Sequence, residues 1–184
     1  DVDLTSASFD RVTAHRTNLG ACRLDLFRAS KCDFSDASFA GAIGLLASFT
    51  KAGFERCNWA EAALEVCSFD DCKLEGARFS AATLEHVRFD TCEGSGFVLE
   101  DANLVGTSFR ACQLPGAAAS RVSGDGAIWF ETGLQGACFH KADLSRSHFL
   151  SVDARKADFS HANVPNARFD RAVLREASFE RANL

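Results

Sequence analysis

Ala142-Asp143-Leu144-Ser145-Arg146 decides the fold, together with Ala102-Asn103-Leu104-Val105-Gly106. Each stretch opens on a small residue, places leucine third and leaves its other positions polar or variable. Stepping outward from Leu144 in fives, the same third position recurs across the chain. It occurs 37 times, from Leu4 to Leu184, and 29 of these residues are Leu, Phe or Trp. The exceptions are Ala14, Ala29, Gly44, Gly94, Ala119, Gly124, Ala154 and Val164. Fourteen of the 17 Phe stand here. Neither the helical period of about 3.6 nor the strand period of about 2 generates this spacing.

The residue two places before each centre is Ala, Cys, Val, Thr or Ser in 35 of 37 units. Only Phe27 and Phe97 are large there. Phe27 shares its unit with Ala29, which reads as an exchange of sizes between two inward slots. A unit with two inward side chains, one large and one small, cannot bury them alone and must stack on copies of itself.

These units resemble the pentapeptide-repeat family, whose repeats read A-(D/N)-(L/F)-X-X, and the resemblance covers the whole chain. It implies an all-β fold: a right-handed quadrilateral parallel β-helix in which four units make one square coil. The centres test that coil independently. Assigned to four walls in steps of twenty, 12 of the 14 central Phe and both Trp fall on the second and fourth walls. Eleven of the 13 central Leu fall on the first and third. The expectation is one domain over residues 1–184, of about nine coils and roughly 43 Å in length at about 4.8 Å per coil.

Seven of the eight Cys (22, 32, 57, 67, 72, 92 and 112) occupy the small slot, where free Cys acts as a small buried hydrophobe. Cys138 points outward. Cys72, Cys92 and Cys112 are expected to stack, with side chains too parallel for good disulfide geometry. Reduced thiols suggest a cytoplasmic protein. The five His (15, 86, 140, 148 and 161) are all outward, and no spacing marks a metal site. No nucleophile motif or phosphate loop is present. The reading is therefore a non-enzyme without cofactor or metal. No apolar run approaches the roughly 20 residues of a membrane span. Asp1-Val2-Asp3-Leu4 has no signal-peptide character.

The repeat weakens at three places. Residues 42–46 read Ala-Ile-Gly-Leu-Leu, so Leu45 and Leu46 form a candidate apolar contact. Residues 92–96 put Gly94 at a centre. Across 115–131 two successive centres are Ala119 and Gly124, which predicts a bulge or kink, with Phe130 folding back as a plug.

The net charge of −5 argues against direct binding to nucleic acid. It is unevenly placed. From Glu55 to Asp101 there are 11 acidic and 4 basic residues, and from Lys141 to Leu184 there are 6 acidic and 8 basic. Three pairs are expected to stack on neighbouring coils: Glu55 with Glu75, Glu65 with Glu85, and Asp70 with Asp90. With Asp71, they make the candidate acidic docking surface for a basic protein partner.

Both chain ends lie inside the repeat. The expectation is an uncapped part of a larger bacterial protein, open to end-to-end self-association. Long Phe- and Cys-rich arrays resemble those attached to secretion-system proteins, including type VI adaptors and effectors, which would allow export through a contact-dependent system. The alternative implied by resemblance is a DNA mimic that protects DNA gyrase or another topoisomerase against quinolones or toxins.

Overall fold

Every repeat unit ends in a left-handed residue. In the computed structural model, which describes residues 2–184, each fifth position from Ser6 to Arg181 has φ between 49° and 69°. Asp1, the first residue of the expected array, lies outside the described residues. Of these 36 positions 29 are not glycine, so the conformation is imposed by the coil rather than chosen by residue type. In isolation an L-residue there costs roughly 1–2 kcal/mol. Many units close as β-turns. The amide after the left-handed residue donates to the carbonyl of the unit's centre, as from Ala37 N to Phe34 O at 2.9 Å. A positive φ at the third residue of such a turn is the type II arrangement.

Each turn makes a corner, and four corners return the chain to its starting azimuth. Residue i therefore lies over residue i+20. Four columns of parallel bridges record the four walls, starting at Asp3↔Arg23, Ser8↔Arg28, Thr13↔Asp33 and Asn18↔Ser38. The second wall is an eight-stranded parallel sheet from Ser8–Asp10 to His148–Leu150, which spans seven turns. Single bridges carry the same step on to Asn183. The first wall forms strands only at Ile43–Leu45, Ala63–Glu65 and Thr83–Glu85. Walls three and four are held by isolated bridges. The fold is an all-β parallel solenoid, and no described residue is helical.

The bore is filled as the sequence predicts. Central residues from Leu24 to Val164 are buried, with Gly44, Gly94 and Gly124 among them. On the second wall Phe49, Phe69, Phe89 and Phe109 stack at centroid spacings of 4.8–4.9 Å. On the fourth wall Phe39 and Trp59 stack at 4.1 Å, and Phe139 and Phe159 at 5.0 Å. Rings of the two walls meet edge-on, as at Phe79 and Phe89, 5.9 Å apart and 88° inclined. Such pairs are each worth about 0.5–1.5 kcal/mol beyond their burial. Phe27 lies 5.1 Å from Phe9 and 5.9 Å from Phe49, inside the column that Ala29 leaves short.

The expected bulge at 115–131 is absent. Ile128–Phe130 pairs in unbroken register with Ser108–Arg110 and His148–Leu150, and bridges continue through Ala118, Ser123 and Gly133. The thin centres are filled from adjacent coils. A Cβ built on Gly124 would lie 3.1 Å from Leu144 Cδ2, and Trp129 stacks on Phe109 at 4.1 Å. Phe130 is no plug: it lies on the outer face of its strand, with the Arg110 guanidinium 5.4 Å from its ring centroid.

The corner conformation can be tested at two exposed sites. Gly116 has φ 67° and open space around it, whereas Thr91 is β-branched with φ 53°. Gly116→Val is expected to destabilise by about 1–2 kcal/mol, and Thr91→Gly to stabilise by roughly 0.5–1 kcal/mol. Denaturant midpoints of the two variants read both signs.

Candidate functional site

A filled bore leaves the walls as the place for chemistry. Four hollows of about 170–510 Å³ lie open on them. None of them is lined by paired nucleophile and base. Among the described residues no three His, Cys, Asp or Glu converge as metal donors.

The acidic residues girdle the rod instead of lining one face. Glu65 and Glu85 are register partners on the first wall, and Asp70 and Asp90 on the second. Glu55 and Glu75 follow the Gly53↔Lys73 bridge on the third wall. Several have local partners. Arg88 reaches diagonally to Asp70 at 3.4 Å, Lys51 lies 3.9 Å from Asp71, and Ser35 donates to Glu55 at 3.0 Å. Asn103 donates to Glu85 at 3.1 Å. Glu75 Oε2 is buried without a hydrogen-bond partner among the described residues. Elsewhere the twenty-residue step sets opposite charges together. Arg56 grips Asp36, and Arg121 grips Asp101, each through two bonds of 2.7 Å. These guanidiniums hold both carboxyls below their usual range. At the basic end Arg155 binds Asp153 at 2.7 Å and holds it down at about 2.

Leu45 and Leu46 are both exposed, and they have company. Leu26 and Val66 stand one coil either side of Leu46 in the same corner column, and Ile43 lies on the same wall. Sequence reading missed these three because it judged each unit alone; stepping twenty residues from Leu46 finds two of them. A hollow of about 170 Å³ runs beside Ile43 and Leu45, with Glu65 and Glu85 on its margin.

The cysteines belong to the core. All seven small-slot thiols are buried, whereas Cys138 is half-buried with its sulfur 3.2 Å from Ser120 Oγ. Burial pushes Cys22 and Cys67 up to about 11. Most polar atoms in this slot donate to a carbonyl 23 residues back, and Cys57 to one 20 back, Ala37 O. Cys92 bonds Phe69 O at 3.2 Å, and Ser147 bonds Gly124 O at 2.7 Å. This is why Cys, Thr and Ser can alternate with Ala. The histidines stay outside and scattered. His15 meets Asp33 at 2.8 Å, and the His140 and His161 rings are 5.3 Å apart.

Comparison with known proteins agrees with this architecture. Residues 45–119 match the family described as a pentapeptide repeat region, and residues 155–184 match pentapeptide repeats (8 copies). The chain belongs to the pentapeptide-repeat family. No curated protein matches it in sequence. A trypsin-treated variant of QnrB1, a plasmid-mediated fluoroquinolone resistance protein, superposes with a TM-score of 0.73 at 16% identity, covering 94% of this chain and 91% of that one. Full-length QnrB1 gives 0.58 at 19% identity, over 94% and 93%. HetL, involved in heterocyst differentiation in the cyanobacterium Nostoc sp. strain PCC 7120, gives 0.49 at 18%, over 100% and 89%. At these identities the likeness is one of fold. Among the described residues no helix is long and apolar enough to cross a membrane.

Two measurements probe the side-chain assignments. At about pH 8, a thiol reagent is expected to label one cysteine per native chain, Cys138, and all eight after unfolding, read by intact mass. A second native label would place a core thiol at the surface. For Asp153 the native pKa of about 2 lies below the ordinary value near 3.9. Its contribution is complete above about pH 4 and is lost as the pH falls towards 2. Asp153→Asn should therefore flatten the acid-side fall in stability, compared by denaturant midpoints at about pH 5 and about pH 2.5.

Proposed function

We propose that this pentapeptide-repeat chain is a non-enzymatic interaction module that presents an acidic, rigid rod to a basic protein partner. The observation that carries the reading is the in-register alignment of like charges, Glu65 over Glu85 and Asp70 over Asp90. Like charges directly opposite each other on a sheet destabilise it by tenths of a kcal/mol. The same twenty-residue step makes bidentate Asp36–Arg56 and Asp101–Arg121 pairs elsewhere. The rod therefore retains unfavourable carboxylate columns where favourable pairs fit the same geometry. A basic partner offsets that cost. An acidic surface with net charge −5 disfavours direct nucleic-acid contact. Attachment to a secretion-system protein is one setting for such a module, and the parent reading frame tests it.

A second reading is protection of a topoisomerase by DNA mimicry. The fold shared with a fluoroquinolone resistance protein and the acidic waist favour it. The balance of 8 basic to 6 acidic residues from Lys141 to Leu184 opposes it.

The readings separate experimentally. The triple variant Glu55→Lys, Glu65→Lys, Asp90→Lys is expected to melt no lower than the parent chain. It should lose the proteins that the parent captures by cross-linking in a bacterial lysate. Unchanged capture removes the acidic-surface reading. In a DNA gyrase supercoiling assay with a quinolone, protection by the parent but not by the triple variant would establish mimicry, and no effect on gyrase would eliminate it.

A further inference from the structure

Five of the ten exposed large apolar residues among the described residues stand together on the first wall and its corner within three coils: Leu26, Ile43, Leu45, Leu46 and Val66. Their exposures run from 43% to 55%, so none belongs to the bore. Backbone preference does not explain them either. Leu26, Leu46 and Val66 occupy left-handed corners with φ of 59°, 58° and 53°. A β-branched residue in that region is an outlier, and an exposed corner is the position where glycine or a small polar residue is least costly. Later in the same column stand Gly106, Gly126, Arg146 and Asn166. The corner towards the fourth wall carries the small residues Ala40, Gly41 and Ala60, with Glu61 exposed at its left-handed position. Two of the patch's three coils are ones in which the first wall flattens into strands, at Ile43–Leu45 and Ala63–Glu65.

Charge and area identify the occupant. Asp25, on one margin, is already paired with Arg23 at 2.7 Å. Glu61, Glu65 and Glu85, on the other margin, form no salt bridge among the described residues. With a coil spacing of about 4.8 Å and a wall of about five residues, the patch covers on the order of 300 Å². A stable protein–protein interface needs about 800 Å² per partner. A second copy would also bring its own three glutamates against these. The dimensions and the sign suit a short segment instead.

We propose that the first wall across coils 26–85 docks a short amphipathic segment of a partner protein, with aliphatic side chains over Ile43, Leu45 and Leu46 and basic side chains against Glu61, Glu65 and Glu85. The proposal rests on the interaction-module reading and gives it a face and a ligand chemistry. Aliphatic anchors supply the affinity, and the glutamates set orientation and sign.

The probe is a fluorescein-labelled peptide of about twelve residues, Leu and Lys patterned on one helical face each, with a control in which Glu replaces Lys. Anisotropy titrations are expected to show micromolar binding of the Lys peptide by the parent chain. Ile43→Asp or Leu46→Asp should weaken it by about tenfold or more. Glu65→Lys with Glu85→Lys should weaken it similarly and raise binding of the Glu control. Glu176→Lys, at the far end, should leave it unchanged. All these sites are on the surface, and thermal melts confirm that the variants fold. Binding that is unaffected by Ile43→Asp and Leu46→Asp overturns the proposal. If the triple charge-reversed variant still loses its captured proteins in that case, the interaction-module reading stands without the patch. Self-association that Leu46→Asp abolishes, with no peptide binding by the parent, assigns the wall to a second copy and also overturns the proposal.

Discussion

A left-handed residue at every fifth position is the constraint on which the rest of this molecule depends. It makes each corner, and four corners make the coil, so the twenty-residue step follows from it. It is also locally unfavourable at the 29 positions where the residue is not glycine. The conformation persists because neighbouring coils over-determine it. The corner amide donates to the coil ahead, as from Lys51 N to Asp70 O at 2.8 Å and from Arg56 N to Glu75 O at 2.8 Å. Fold and ladder therefore require one another. A single unit gains nothing from the corner, and a stack cannot form without it, which is the physical content of a quasi-one-dimensional repeat.

The same interdependence governs packing. Volume is conserved by column and by neighbouring coil rather than by unit. Gly44 is closed from above and below, where a Cβ would lie 3.2 Å from both Leu24 and Leu64 side-chain carbons. Phe97, in a small slot, meets Phe79 at 5.3 Å and Phe89 at 5.8 Å, and adds ring volume in the coil where Gly94 removes it. The small slot has its own rule. It accepts any compact side chain that is apolar or can donate to a carbonyl of the preceding coil, which is why Thr132 sits there with a 3.1 Å bond to Phe109 O.

This explains what could be read from the residues and what could not. The five-residue period in Leu144 and its equivalents specified inward and outward positions. The alternation of Phe and Leu centres specified two aromatic and two aliphatic walls. Both are properties of single side chains, so they survive in the linear string. The stretch at 115–131 was misread because Ala119 and Gly124 look empty until Leu144 and the Trp129–Phe109 stack are brought beside them. The concentration of true strands on the second wall left no mark in the outward residues. Nor did the left-handed corners, where Lys, Arg, Asp and Ala all occur. The acidic columns were legible from the twenty-residue step, but the diagonal reach of Arg88 to Asp70 was not. On the surface patch, Leu45 and Leu46 announced themselves as a break in polarity, whereas Leu26 and Val66 looked unremarkable within their own units.

In this architecture the outer surface is nearly independent of the fold. Three positions in five do not fill the bore, and even the left-handed corner among them accepts Lys, Arg, Asp and Ala, so residues there are free to lower the energy of the rod. Many do, and Asp36 with Arg56 shows how readily opposite charges couple across one coil. Residues that raise the energy in the same positions then become informative. Glu65 over Glu85 sets like charges in register, and Val66, next to Glu65, puts a β-branched apolar side chain in a left-handed corner facing water. Neither choice is needed for the coil, since other coils make the same corner with Gly126 or Asn166. Both occur on one wall within three coils. The local cost therefore marks the wall where the molecule has something to gain from contact with another surface.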